Sequence, residues 1–284
     1  MAVMPKLLFV LPLYRLATTS FACVTVVVAS SAYAADCNKT VYLTFDTGNM
    51  SVAQYVADIL HKHQVKATFF LANEKTTQGN YALDPAWSDF WRAMVKDGHA
   101  FGSHTLHHTY FVKDGGKSSA NNSSSGIYVK SQFGPQSGKV RLVNGESFCQ
   151  DIKGSDERFF QLTGRHLDPI WRAPGGKVSA QSIQFGQTCG YAHVGWSESG
   201  FLGDELPSEK FPNDYLLHKA LNSIRPSDIT MAHLGIWSRK DPWANADLEP
   251  LILGLKAQGY CFGRITDLEQ HPKISRIIAK SKLR

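Results

Sequence analysis

Short apolar runs alternate with helix-patterned segments along this chain, and each run gives out at a polar side chain. The runs cover residues 41–46, 67–72, 100–103, 169–172, 192–196, 229–232 and 260–264. Where successive runs end stand Asp46, Asn73, His104, Arg172, Trp196 and His233. Between them the apolar positions recur at helical spacing, as with Val52, Val56, Ile59 and Leu60 in residues 52–63. Similar patterns cover residues 84–98, 145–162, 180–188, 215–224 and 248–258. Strand–helix alternation predicts an α/β fold with parallel strands. The expected architecture is a distorted (β/α) barrel of about seven parallel strands with surrounding helices. Such a fold gathers the C-terminal ends of its strands on one face, so residues far apart in sequence share one cleft.

The N-terminal residues stand apart from this pattern. Lys6 and Arg15 precede an apolar stretch over residues 16–29, and Ala32-Tyr33-Ala34 fits a small-x-small cleavage site. Residues 1–34 therefore read as a secretory signal peptide. The apolar stretch is shorter than the roughly 20 residues of a membrane span. Export to the periplasm or the medium is the expected localisation, with residues 35–284 as one domain.

Without Lys6 and Arg15, the 30 basic residues fall by two against 24 acidic ones. That mild excess sits in a tail containing Lys273, Arg276, Lys280, Lys282 and Arg284, which reads as a solvated terminal helix. Basic and aromatic residues do not interleave elsewhere, so nucleic acid is not an expected partner, and no protein partner is implied. Four cysteines remain after export, Cys37, Cys149, Cys189 and Cys261. An even count in an oxidising compartment argues for disulfides. Three pairings are open. Closure of the first strand against the last would bridge Cys37 to Cys261 and leave Cys149 with Cys189. No CxxC occurs, which argues against zinc held by thiolates.

Residues 113–139 are rich in Gly and Ser and break the rhythm directly after His108. They read as a surface insertion, either a mobile loop or a small hairpin around residues 127–133. Decoration and a substrate lid are both compatible with it.

Chemistry is concentrated at the strand ends. His104 and His108, four apart, face one way on a helical turn or a tight loop and can share a divalent cation. Asp46 ends an apolar strand before Thr47-Gly48-Asn49, poorly placed for core packing. It is either a turn or helix cap or a general base. Arg172 closes a buried strand and needs an anionic partner, because it cannot shed its charge. The imidazole of His233 can exchange a proton at little cost and suits a general acid. A hydrogen-bonded core histidine is the alternative.

These motifs, in this order, resemble the polysaccharide deacetylase family, also called the NodB-homology domain or carbohydrate esterase family 4. Thr44-Phe45-Asp46-Thr47-Gly48 is similar to the family's Thr-Phe-Asp-Asp-Gly. His104-Thr105-Leu106-His107-His108 matches its His-(Ser/Thr)-x-x-His, and Arg172-Ala173-Pro174-Gly175-Gly176 its Arg-x-Pro-(Tyr/Phe)-Gly. Met231-Ala232-His233 stands for its Leu-x-His strand end, and Ala67-Thr68-Phe69-Phe70 for its second strand. The resemblance spans residues 40–268. It implies a polysaccharide N-deacetylase, with acetylated amino-sugar polysaccharide as partner. Asp46 is then the base, Arg172 its partner, His233 the acid, and His104 and His108 the ligands of a divalent metal, zinc foremost.

Three departures bear on that scheme. Thr47 stands where the family has a carboxylate ligand, which implies a weaker metal site unless Asn73 or Glu74 supplies the missing donor. Gly175 replaces an aromatic that walls the groove. In Trp196-Ser197-Glu198-Ser199 the acid that tunes the catalytic histidine is missing, with Glu198 and Asp204 as candidates to replace it. Trp196, Trp237 and Trp243 follow strand ends, where rings could stack on sugars or pack in the core; Asn73 is a further substrate-binding candidate. The leading expectation is a metal-assisted deacetylase of exported type. A glycan-binding pseudoenzyme and a metal-independent amidohydrolase on a small amide are the alternatives.

Overall fold

The computed structural model describes Met1, residues 37–116 and residues 126–268. The expected signal peptide, the basic tail from Lys273 onward and residues 117–125 of the insertion lie outside the described residues.

Six strands form one parallel sheet. They are β2 (Thr44–Asp46), β3 (Thr68–Leu71), β4 (Ala100–Ser103), β8 (Ile170–Trp171), β9 (Ala192–His193) and β10 (Ala232–His233), in the order β10-β2-β3-β4-β8-β9. The first expected strand, residues 41–46, is split. β1 (Thr40–Val41) pairs with β11 (Cys261–Phe262), and the chain then changes neighbours. Tyr42 bridges Ile229, and the Leu43 carbonyl accepts from Thr68 N–H at 3.0 Å before the β2 register begins. Edge strands β9 and β10 form no ladder with each other among the described residues, although Phe201 and Met231, near that edge, form a parallel bridge. The parallel α/β arrangement is as expected; among the described residues no ladder closes the six-stranded sheet.

Alternation along the central strands decides what faces where. Phe45, Phe69 and Phe101 lie in register across β2, β3 and β4, with ring centroids 5.5 and 5.9 Å apart. Trp91 of α2 (Ser88–Lys96) and Phe159 of α3 (Gly145–Thr163) pack edge-on or tilted against Phe101. Each fully buried ring stabilises the fold by roughly 1.5–3 kcal/mol over exposure. The opposite face carries Phe70, Ile170, Ala192 and Val194. By the same two-residue period Asp46 falls on that face, with Thr44 and Phe70.

The helices follow their sequence patterns. α1 (Ala53–Lys62) buries Val56, Ile59 and Leu60. In α3 the Asn144 side chain caps the start by accepting from Ser147 N–H at 2.9 Å, and Gly164 at φ 74° ends it. α4 (Ala180–Thr188), α5 (Asn213–Ser223) and α6 (Glu249–Ala257) complete the set.

Cys37 and Cys261 are disulfide-bonded across 224 positions, beside the β1–β11 pair. The second expected bridge is not formed. Cys149, on α3, and Cys189, at the residue that ends α4, are free thiols. Burial, reinforced by Cys149, pushes the Cys189 thiol up, and its Sγ donates to the Phe185 carbonyl at 3.4 Å. The described residues of the insertion are built around strands. β5 (Thr109–Asp114), β6 (Ile127–Ser131) and β7 (Val140–Val143) form a three-stranded antiparallel sheet. The expected hairpin strand is present, and β7 adds a third strand just beyond the Gly/Ser-rich stretch.

Candidate active site

Asp46, His104, Arg172 and His233 meet at the C-terminal ends of β2, β4, β8 and β10. Asp46 and His233 stand directly opposite each other in the parallel register. Arg172 Nη1 donates to Asp46 Oδ1 at 2.9 Å, while Nε and Nη2 donate to the carbonyls of Val194 and Gly195. The guanidinium lies 4.0 Å from the centre of the Phe70 ring. It is fully buried, so its geometry is fixed by packing as well as by charge. Burial alone would raise the Asp46 carboxyl, but the charges around it, of His104, Arg172 and His233, outweigh that and hold it below the usual carboxylate range. His104 is neutral near pH 7, which leaves Arg172 as the main counter-charge there.

His104 is oriented by its own backbone neighbourhood. Its Nδ1 lies 2.9 Å from the Arg172 carbonyl, an acceptor only, so Nδ1 carries the proton and Nε2 the lone pair. Burial drives its pKa down to about 4, helped by His108 and Arg172 and opposed by Asp46 and Glu74. Nε2 and Asp46 Oδ2 are then two acceptors facing each other at 3.5 Å. Such a gap is unfavourable unless a cation or a donated proton lies at it.

The loop after β4 carries His108 to the same place. Thr105 (φ 58°) and His108 (φ 47°) both adopt left-handed backbone, strained for a β-branched residue. Thr109 N–H to Thr105 Oγ1 at 2.7 Å and Thr105 N–H to Ser103 Oγ at 3.1 Å hold the turn. The ring centroids of His104 and His108 are 4.9 Å apart, and His108 Nδ1 is buried with no hydrogen-bond partner. His107, between them, turns away to Asp151 at 2.7 Å.

His233 is held from behind. Asp204, itself buried, accepts from His233 N–H at 2.7 Å and lies 3.1 Å from Nδ1. Burial disfavours the imidazolium, yet the charge and hydrogen bond of Asp204, with Asp46 and Glu205 beyond, push His233 up to about 10. Glu198, the other candidate for this position, is exposed. A pKa raised from 6.5 to about 10 contributes stability that is complete below 6.5 and lost as pH rises toward 10. Asp204→Asn is expected to bring the His233 pKa down toward or below 6.5. The imidazole carbon resonance followed through a pH titration checks this; an unmoved midpoint would remove Asp204 as the cause.

The other expected residues divide. Asn73 does not enter the site: its Oδ1 accepts from Leu83 N–H at 2.9 Å and ties down the loop after β3. Its neighbour Glu74 turns inward, where Oε1 accepts from Thr47 Oγ1 at 2.6 Å and from Gly48 N–H at 2.8 Å. Gly48 is required here: it sits at φ 58°, and a Cβ would lie 2.0 Å from the Gly235 carbonyl oxygen. Trp196 is half-buried over Gly176, 5.6 Å from the Arg172 guanidinium. Trp237 is 61% exposed, whereas Trp243 is buried in the core, so it offers no stacking face. Tyr110 of β5, which sequence reasoning did not single out, packs edge-on to His108 at 4.9 Å. Its ring also covers Gly175, where a Cβ would meet it at 3.1 Å.

The donors suit a divalent ion. His104 has its tautomer set by a carbonyl, the usual arrangement behind a metal-binding imidazole. Its Nε2 looks into an acceptor-only gap, and His108 has an unpartnered ring nitrogen. Among the described residues no three His, Cys, Asp or Glu side chains already form a metal cage, so the two imidazoles are the ready protein ligands.

The family described as polysaccharide deacetylase matches residues 34–194, more than half of the sequence. The chain belongs to the polysaccharide deacetylase family. It is 25% identical over 231 residues to the peptidoglycan-N-acetylmuramic acid deacetylase PdaA of Bacillus subtilis, covering 81% of this chain and 71% of that protein. Among solved structures, a family 4 acetyl xylan esterase from Clostridium thermocellum in complex with a cobalt ion superposes with a TM-score of 0.58. The identity is 21%, over 81% of this chain and 90% of that one. A CE4 family pseudoenzyme from Bacillus anthracis superposes with a TM-score of 0.57 at 19% identity, over 81% and 65%. At these identities the structural likeness establishes the fold.

Proposed function

We propose that this polysaccharide deacetylase removes N-acetyl groups from an amino-sugar polysaccharide, chitin-like, poly-N-acetylglucosamine or peptidoglycan, by metal-assisted attack of water. The observation that carries the reading is the juxtaposition of Asp46, kept ionised beside Arg172, with His233, kept protonated by Asp204, across one strand register. A pure binder has no use for a base and an acid set to opposite charge states.

His104 and His108 would hold a divalent ion, foremost zinc, which when bound polarises the acetamide carbonyl and the water beside it. Asp46, with Oδ1 engaged by Arg172, has Oδ2 free to take a proton from the attacking water. Arg172 keeps the carboxylate ionised and fixes its plane. His233, anchored through Nδ1, can deliver a proton from Nε2 to the departing nitrogen, because an amine anion is too basic to leave unprotonated. Tyr110, edge-on to His108, borders the site as a face on which a sugar ring could stack. The reading of residues 1–34 as a secretory signal, together with the Cys37–Cys261 bond, favours export to an oxidising compartment.

The test is acetate release from N-acetylglucosamine oligomers and peptidoglycan, before and after chelation and after adding zinc back. Loss on chelation and recovery with zinc are expected. Equal release before and after chelation would reject the metal-assisted scheme and favour the metal-independent amidohydrolase. Thr47, with its neutral oxygen, favours one second reading, a glycan-binding pseudoenzyme. Glycan binding without acetate release in the zinc-loaded protein would establish that instead.

A further inference from the structure

Glu74 is a buried acid that the mechanism above does not use. It is 8% exposed, and its Oε1 takes both of its hydrogen bonds, from Thr47 Oγ1 at 2.6 Å and Gly48 N–H at 2.8 Å. The other acids of the pocket meet cations: Asp46 meets Arg172, and Asp204 meets His233. Among the described residues no lysine, arginine or histidine forms an ion pair with Glu74. A buried carboxylate without a counter-charge is costly. The Thr47–Glu74 pair lies beside the first imidazole: Ala72 N–H donates to Thr47 Oγ1 at 3.2 Å, and the preceding residue, Leu71, accepts from His104 N–H at 2.8 Å.

Thr47 is equally constrained. It is fully buried, accepts from Ala72 N–H at 3.2 Å, and gives its own proton to Glu74. A hydroxyl that donates to a carboxylate is polarised, and its oxygen becomes a better electron-pair donor. Thr47 also follows Asp46 directly at the end of β2, where the chain enters the site.

We propose that Thr47 and Glu74 form one composite donor in the ion site, with the Thr47 oxygen as the ligand atom and Glu74 as the negative charge one hydrogen bond behind it. This rests on the reading that His104 and His108 hold a divalent ion. The negative charge of the pair then sits on the loop after β3, with the neutral donor on the chain leaving β2. The arrangement also gives the unpaired Glu74 its counter-charge, the bound cation.

The experiment is calorimetric titration of the full-length protein with Zn²⁺. Glu74→Gln is expected to weaken binding by roughly 10- to 100-fold, the usual effect of removing a carboxylate that polarises a ligand. Thr47→Val, which keeps shape and removes the hydroxyl, should weaken it comparably, while Thr47→Ser keeps wild-type affinity. Because the two act in series, the double variant T47V/E74Q should be no weaker than the more affected single one. The exchange T47D/E74Q, which puts the charge back on β2, should regain tight binding. Glu74→Gln binding zinc within twofold of wild type, or single effects that multiply in the double variant, would overturn the composite donor. Should Glu74→Gln fail to fold by circular dichroism, the Thr47→Val against Thr47→Ser contrast decides alone; equal affinities there overturn it. Zinc binding lost in His104→Ala but untouched by Glu74→Gln would defeat this inference and spare the metal site. A wild-type protein that binds no zinc would defeat both.

Discussion

Asp46→Asn is expected to reduce acetate release by about 10²–10⁴-fold, with the loss in kcat. An asparagine keeps the shape and accepts from Arg172, but it cannot take a proton from water. The site geometry gives this substitution its sharpest readout. The second oxygen of Asp46 lies opposite a lone pair, that of His104 Nε2 at 3.5 Å. If the substitution leaves kcat within tenfold of wild type, the proton acceptor lies elsewhere, and the arrangement around β2 and β10 loses its catalytic meaning.

Arg172→Met is expected to destabilise the fold by roughly 3–5 kcal/mol, because it strips the partner from a buried charge. Methionine fills much of the volume over Phe70, so the loss reports the orphaned Asp46 and the unsatisfied carbonyls of Val194 and Gly195. Urea unfolding at pH 7 measures it. The linkage has a definite sign. The Asp46 carboxyl is held below its ordinary 3.8, so its stabilisation is complete above that value and fades as pH falls through the folded one. The gap between wild type and Arg172→Met should therefore narrow in acid. A constant gap from pH 7 to pH 3 would show that packing, not charge, sets the effect.

Much of this site was legible in the chain because strand alternation dictates it. Once Phe45, Phe69 and Phe101 are assigned to the helix-covered face, Asp46 must fall on the other, and the parallel order brings the ends of β4, β8 and β10 to it. The residues left open are those whose direction depends on a turn. Asn73 and Glu74 are adjacent, and only the conformation after β3 decides that Asn73 ties down Leu83 while Glu74 enters the site. Trp243 has the same composition cues as Trp237, but the chain around Ala244–Leu248 packs it into the core. The strand β7 lay hidden because its partner residues sit across a Gly/Ser-rich stretch that carries no alternating pattern. Tyr110 had no local signal at all; its role as a wall depends on Gly175, 65 residues onward, leaving room for its ring.

The Cys37–Cys261 bond has a consequence for how such a chain matures. Its two sulfurs are 224 positions apart, so the clasp cannot fasten until most of the polypeptide has emerged. Oxidation at Cys37 before Cys261 is present would draw on Cys149 or Cys189, the two free thiols among the described residues. In the folded protein those two stay unbridged and partly buried, so the late partner is the one that Cys37 holds.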